Sequence, residues 1–277
     1  MQKSLTAAIV LSIVAASPLA AHDQATAHYL GNEGVMVARG DAKILFDAFY
    51  SNGFDNYSLV PKDVSAAMLA GEPPYDGVDA VFVSHVHGDH FTAEPAIEYL
   101  RRQTNVRLYA PEQVREAILL SGVAADDPIM ERVVTIDLNP DGSDAGRQLE
   151  IDGVTIDAVA VPHAGSWTNI QNYAWRVSLD DHTTVIHLGD ADPKPANFAR
   201  HQDHFDARKT HTAFPPYWFI GDAGGERILN DIIKADQAIG IHAPIRAIGK
   251  GEAWRAEAGG DIFTDPGEIR AVGKPEQ

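Results

Sequence analysis

Ser84-His85-Val86-His87-Gly88-Asp89-His90-Phe91 directly follows the apolar run Val78–Val83. Within this stretch His85, His87, Asp89 and His90 form an H-x-H-x-D-H cluster. Residues two apart in an extended chain point to the same side, so His85 and His87 aim at one position. Gly88 lets the chain turn, and Asp89 and His90 then face a second position nearby. Three imidazoles and a carboxylate at the end of a buried strand make a metal-binding pattern, and the spacing is specific as short motifs go.

The cluster supplies half of a two-metal site. Three later residues each close an apolar run: His163 after Val159–Pro162, Asp190 after Val185–Gly189, and His242 after Ala238–Ile241. Polar side chains at strand ends can converge on one face of a fold, where loops carry function. Asp190 has two competitors, Asp192 and His187. Gly189 favours Asp190, because it permits a tight turn that presents the next residue. Asp47 also ends a strand; it is either a turn residue or a hydrogen-bond support for the histidine loop. The run Phe214-Pro215-Pro216-Tyr217-Trp218-Phe219 reads as core packing, with a pocket wall as the alternative. His22, His28, His182, His201, His204 and His211 have no matching context and read as surface or satisfied core.

H-x-H-x-D-H followed in order by a His, an Asp and a His resembles the metallo-β-lactamase superfamily, over roughly residues 26–245. Tyr29-Leu30-Gly31-Asn32-Glu33-Gly34 and Lys43-Ile44-Leu45-Phe46-Asp47 look like its first strands. More narrowly they resemble the branch of ascorbate phosphate lactonases and N-acyl-phosphatidylethanolamine phospholipases. The resemblance implies that His85, His87 and His163 hold one metal, that Asp89, His90 and His242 hold a second, and that Asp190 bridges them. The chain has no cysteine, which argues against penicillin hydrolysis of the kind that uses one near the bridging position. His87 stands where the flavo-diiron branch has Glu. Two cations ~3.5–4 Å apart can share a water and activate it for attack on a carbonyl or phosphoryl centre. The expectation is a hydrolase of ester, lactone, amide or phosphodiester bonds acting on a small molecule, with Asp89 or Asp190 able to carry a proton. The alternatives are a mononuclear iron persulfide dioxygenase using His85, His163 and Asp190, and a non-catalytic binding protein.

Composition narrows the chemistry. The absence of cysteine leaves only nitrogen and oxygen ligands, which suits Zn²⁺ first and Mn²⁺ or Fe as alternatives. Lys3 and the apolar stretch Leu5–Ala16 read as a signal peptide over residues 1–21, shorter than the ~20 apolar residues of a spanning helix. Its removal takes Lys3 from a formal net charge of −17, leaving −18. That charge disfavours a nucleic-acid partner, which needs basic patches. The expectation is a periplasmic or secreted protein with no stable membrane insertion.

The remainder, 22–277, reads as a single domain of class α+β: a four-layer αββα sandwich of two mixed sheets with outer helices. Its halves meet near 139–147, a stretch rich in Asn, Pro, Asp and Gly. Strands are predicted at 26–30, 35–38, 43–47, 80–83, 106–109, 133–137, 148–151, 154–161, 173–178, 184–188 and 237–241. Helices are predicted at 61–70, 92–102, 111–120, 197–202 and 227–233.

Overall fold

The computed structural model describes residues 24–151 and 154–274; the leader expected at 1–21 and His22 lie outside them. The first sheet holds β1 (Thr26–Gly31), β2 (Gly34–Arg39), β3 (Ala42–Phe46), β4 (Ala80–Phe82), β5 (Arg107–Pro111) and β6 (Val133–Ile136), side by side in that order. The second holds β7 (Arg147–Ile151), β8 (Val154–Ala160), β9 (Tyr173–Asp180), β10 (Thr183–His187), β11 (Thr212–Phe214) and β12 (Gln237–Ala238), in the spatial order β12-β11-β10-β9-β8-β7. A last strand, β13 (Ile269–Ala271), crosses back to pair antiparallel with β1.

Tight turns make β1–β3 an antiparallel meander, whereas β3–β6 run parallel. Parallel neighbours need crossovers, and helices supply them. These are α1 (Lys62–Ala70), α2 (Ala93–Arg102) and α3 (Glu112–Leu120). Thr92 precedes α2 as expected, but its hydroxyl pairs with Ser51 and does not cap the helix.

Side-chain alternation assigns the layers. Leu45, Val81 and Leu108 face α2 and α3, where Ala96, Leu100, Val114 and Ile118 cover them. Ile44, Phe46, Phe82 and Tyr109 face the other way and meet Ile156, Ala158, Trp175 and Val185 of the second sheet. Val159, Ala174 and Ile186 lie on that sheet's outer face, under Phe198, Phe205, Ile228 and Ile232. Three apolar cores between four layers bury both faces of both sheets, as the αββα reading requires.

The outer helices of the second half differ from expectation. The segment predicted as one helix at 197–202 is two short ones, α4 (Pro195–Ala199) and α5 (Gln202–Asp206). Pro193 and Pro195 set the start of α4. The buried Arg176 guanidinium donates to the carbonyls of His204, Phe205 and Arg208 at the end of α5, and pairs with Asp157 at 3.0 Å. The helix predicted from Arg227 begins earlier, as α6 (Ala223–Arg227), because the Asp222 carboxylate caps the amides of Gly224 and Gly225. It widens into a π-helical turn over Ile228–Ile233. Only Gln237–Ala238 of the strand predicted at 237–241 pairs in a ladder; Gly240 and Ile241 bridge to Ile262 and Pro216 instead. A further helix, α7 (Gly251–Ala258), follows.

Burial holds the rings of His28, His187, His201 and His211 below their ordinary titration range, and pushes His204 down to about 4. An unfolded His204 takes its proton near 6.5, so between those values the unfolded chain binds more protons than the folded one. The contribution of His204 is therefore full above about pH 6.5 and declines as pH falls toward 4. The urea midpoint of the protein should drop between pH 7.5 and pH 5, with His204→Gln removing part of the drop. Equal midpoints at the two pH values would contradict this.

Candidate metal centre

The strand directions bring distant residues together. β8 and β10 each run antiparallel to β9, so they point the same way, and β11 and β12 run parallel to β10. The segments after β8, β10 and β12 therefore leave one end of the second sheet, carrying His163, Asp190 and His242. The histidine loop follows β4 of the first sheet. Three hydrogen bonds pin the two sheets together there: Trp175 Nε1 donates to the Val83 carbonyl (2.8 Å), Tyr173 N to that of Ser84 (3.0 Å) and His242 N to that of Asn32 (2.8 Å).

The seven residues singled out in the sequence meet at this point. His87 Nδ1 lies 3.1 Å from His85 Nε2 and 3.1 Å from His163 Nε2, and the last two are 3.3 Å apart. His90 Nε2 and His242 Nε2 are 3.3 Å apart, with Asp89 Oδ2 at 3.7 and 3.6 Å from them. Asp190 stands between the groups. Its Oδ1 is 3.0 Å from His242 Nε2 and 3.4 Å from His90 Nε2, while its Oδ2 is 3.4 Å from His163 Nε2.

The chain fixes which ring nitrogens carry lone pairs. Asp47 Oδ2 accepts from His90 Nδ1 at 2.9 Å and from the Ser84 hydroxyl, and its Oδ1 accepts from Ser84 N at 2.7 Å. With its proton given to Asp47, Ser84 Oγ accepts from His85 Nδ1 at 2.9 Å. His163 Nδ1 donates to the Ala164 carbonyl at 2.7 Å. In all three rings the Nδ1 proton is engaged, so Nε2 is the nitrogen turned to the centre, and a cation bound there takes its lone pair in place of any second proton. Lone pairs converging at 3.1–3.3 Å cannot all be satisfied by one another, and the donor set fits divalent cations. Four segments thus build a metal-binding His/Asp centre.

Charge follows the same geometry. Burial, together with the neighbouring rings, lowers His85 well below its ordinary range and lowers His87, keeping both neutral. Burial also opposes a charge on His90, but Asp190, Asp47 and Glu33 outweigh it and hold the ring well above its ordinary range. Burial opposes ionisation of Asp190, yet the rings of His242 and His90 hold it well below the usual carboxylate range. A compact mixture of acids and imidazoles is what a bound cation requires.

Gly189 is needed for this arrangement. Its φ is +54°, and a Cβ there would lie 2.3 Å from Asn172 Oδ1 and 2.7 Å from Ser84 Cβ. Asn172 Oδ1 is also the acceptor for Asp190 N, at 2.9 Å. His242 and Asp47 have φ of 62° and 39°, a left-handed conformation uncommon outside glycine, which Asp and His enter more readily than most side chains.

Neither competitor of Asp190 joins the seven-residue cluster. His187 is buried against Phe46, and its Nε2 donates to the Glu33 carbonyl at 3.0 Å. Asp192 pairs with Lys194 at 2.6 Å. The aromatic run serves both suggested uses: Phe214 and Phe219 are in the core, whereas the Trp218 ring lies 5.2 Å from His242. Sequence reasoning missed Tyr57, whose ring meets His242 edge-on at 4.1 Å, and Trp167, 4.9 Å from His87. It also missed Glu33, fully buried beside His90. The available signal was an acidic residue in the short turn Gly31-Asn32-Glu33-Gly34, enclosed by two buried strands.

A family model described as the β-lactamase superfamily domain matches residues 42–242. The chain belongs to that superfamily. As a member it is a metal-dependent enzyme, and its two-sheet sandwich is a metallo-β-lactamase-like fold. Among solved structures it is similar to Igni18, a metallo hydrolase of Ignicoccus hospitalis KIN4/I (TM-score 0.57, 15% identity, 89% of this chain and 97% of that one). It is also similar to an isothiocyanate hydrolase from Delia radicum gut bacteria (TM-score 0.55, 16% identity, 90% and 99%). A third is the short form of human tRNase Z (TM-score 0.52, 13% identity, 89% and 99%). At such identities the shared property is the fold. No curated protein matches the sequence.

Proposed function

We propose that this superfamily member is an exported hydrolase that holds two divalent cations, zinc before manganese or iron, and cleaves an ester, lactone, amide or phosphodiester bond of a small molecule. The observation that carries the reading is Asp190, whose two oxygens face different ligand groups, His163 on one side and His90 with His242 on the other. A mononuclear arrangement of His85, His163 and Asp190 would leave Asp89, His90 and His242 gathered to no purpose.

When bound, the cations supply an activated water and a Lewis acid for the electrophilic centre. The chain's residues do the rest. Asp47, Ser84 and the Ala164 carbonyl orient the imidazoles. Asp89 and Asp190 are carboxylates placed to take a proton and return it to the leaving group. A cleft of about 490 Å³ opens beside His163 and Asp190, walled by Trp167 and Trp218, with Lys194 at its margin. Its size suits a small molecule, and its aromatic walls suit an apolar or acyl portion. Export is supported by the sequence of the leader, Lys3 and Leu5–Ala16. Among the described residues no helix is long and apolar enough to cross a membrane.

The test is a panel of a lactone, an acyl ester, an acyl amide and a phosphodiester, assayed on metal-loaded protein from the periplasmic or secreted fraction. Turnover of at least one, absent without metal, is expected. Inactivity on all four with both cations bound would overturn the reading.

A further inference from the structure

Glu33 sits in the turn between β1 and β2 and is completely buried, yet neither carboxylate oxygen has a hydrogen-bond donor. Its near neighbours have committed their protons elsewhere. His90 Nδ1, 3.5 Å from Glu33 Oε2, donates to Asp47 at 2.9 Å. His187 Nε2, 3.6 Å from the same oxygen, donates to the Glu33 backbone carbonyl at 3.0 Å. An isolated buried carboxylate costs several kcal/mol unless another charge or donor compensates it. Nearby carboxylates raise that cost: one Glu33 oxygen lies within 4.8 Å of an Asp190 oxygen and a His242 nitrogen, and another such group joins it with Asp47 and His187.

We propose that Glu33 is an outer carboxylate of the second cation position, lying on its buried side just outside the ligand set of Asp89, Asp190, His90 and His242. The inference rests on the two-cation reading above and extends it to the charge of each position. The first position is built from three imidazoles and one oxygen of Asp190. The second has two imidazoles and three carboxylates close by, so it is richer in oxygen and in negative charge. Oxygen-rich, strongly anionic sites favour harder cations such as Mn²⁺, whereas imidazole-rich sites suit Zn²⁺. The two positions therefore differ in preference, and Glu33 is the group that separates them.

The experiment compares wild type with Glu33→Gln, which keeps the shape and removes the charge. Metal content and binding isotherms are measured with Zn²⁺ and Mn²⁺, together with melting of the metal-free proteins. Glu33→Gln should weaken the second cation by about 10–100-fold, the range for partners just outside a ligand set. The manganese isotherm should weaken more than the zinc isotherm. The first cation should stay at wild-type affinity, and metal-free Glu33→Gln should melt no lower than metal-free wild type. Two cations at wild-type affinities in the variant would overturn the assignment alone. So would joint loss of both cations with a lowered metal-free melting point, which marks a structural role for the turn. A wild-type chain that saturates at one cation would overturn the two-cation reading and this assignment with it.

Discussion

Asp190→Asn should lose activity by at least about 100-fold and bind fewer than two cations. The substitution keeps the size of the side chain and the Asn172 contact to the Asp190 amide. It removes the carboxylate charge shared between His163 on one side and His90 and His242 on the other. A group outside a ligand set is worth about 10–100-fold in metal affinity, so a shared ligand sets a larger effect. The loss should appear in kcat as well as KM, because Asp190 is also placed to handle a proton. Atomic absorption and steady-state kinetics on the purified variant check both. A variant with two cations and undiminished turnover would place the chemistry elsewhere.

Stripping the metal should lower the melting temperature by about 10–20 °C. A ligand present at about 100 times its Kd stabilises the folded state by about 2.7 kcal/mol, and two such sites give about 5 kcal/mol. In a domain of this size each kcal/mol moves the midpoint by about 2–4 °C. The centre gives a structural reason for a large response: without cations, converging imidazoles and buried carboxylates lose the positive charge that compensates their proximity. Calorimetry before and after chelation, with re-addition of each candidate metal, measures the shift. Coincident melting curves would mean that the cluster holds no ion in solution.

The parts of the site that local geometry encodes were legible in the sequence. Two-residue spacing after a buried strand places His85 and His87 together, and the turn at Gly88 separates them from Asp89 and His90. Gly189 identified Asp190 over Asp192, and its φ of +54° and crowded Cβ position give the physical reason. Features set by tertiary packing were not legible. Glu33 is buried because β10 and the His242 loop close over a turn that by itself looks solvent-exposed. Strand β11 was absorbed into the aromatic run that begins at Phe214, since three residues are too few to display alternation. The start of α6 is not legible locally because two consecutive glycines are weak helix formers, whereas their amides are the ones that Asp222 caps. The strand β13 carries too little apolar pattern to be found without its partner β1.

The hydrogen bonds that join the histidine loop to β9 and the Asn32 turn to His242 have a consequence for biosynthesis. The residues they unite are as much as 210 positions apart along the chain, from Asn32 to His242. A nascent polypeptide cannot assemble the centre until translation has passed residue 242 and both sheets have docked, a non-local and therefore slow event. Uptake of the pair of ions is then coupled to tertiary folding, so the metals present in the compartment where the chain completes its folding decide the occupancy.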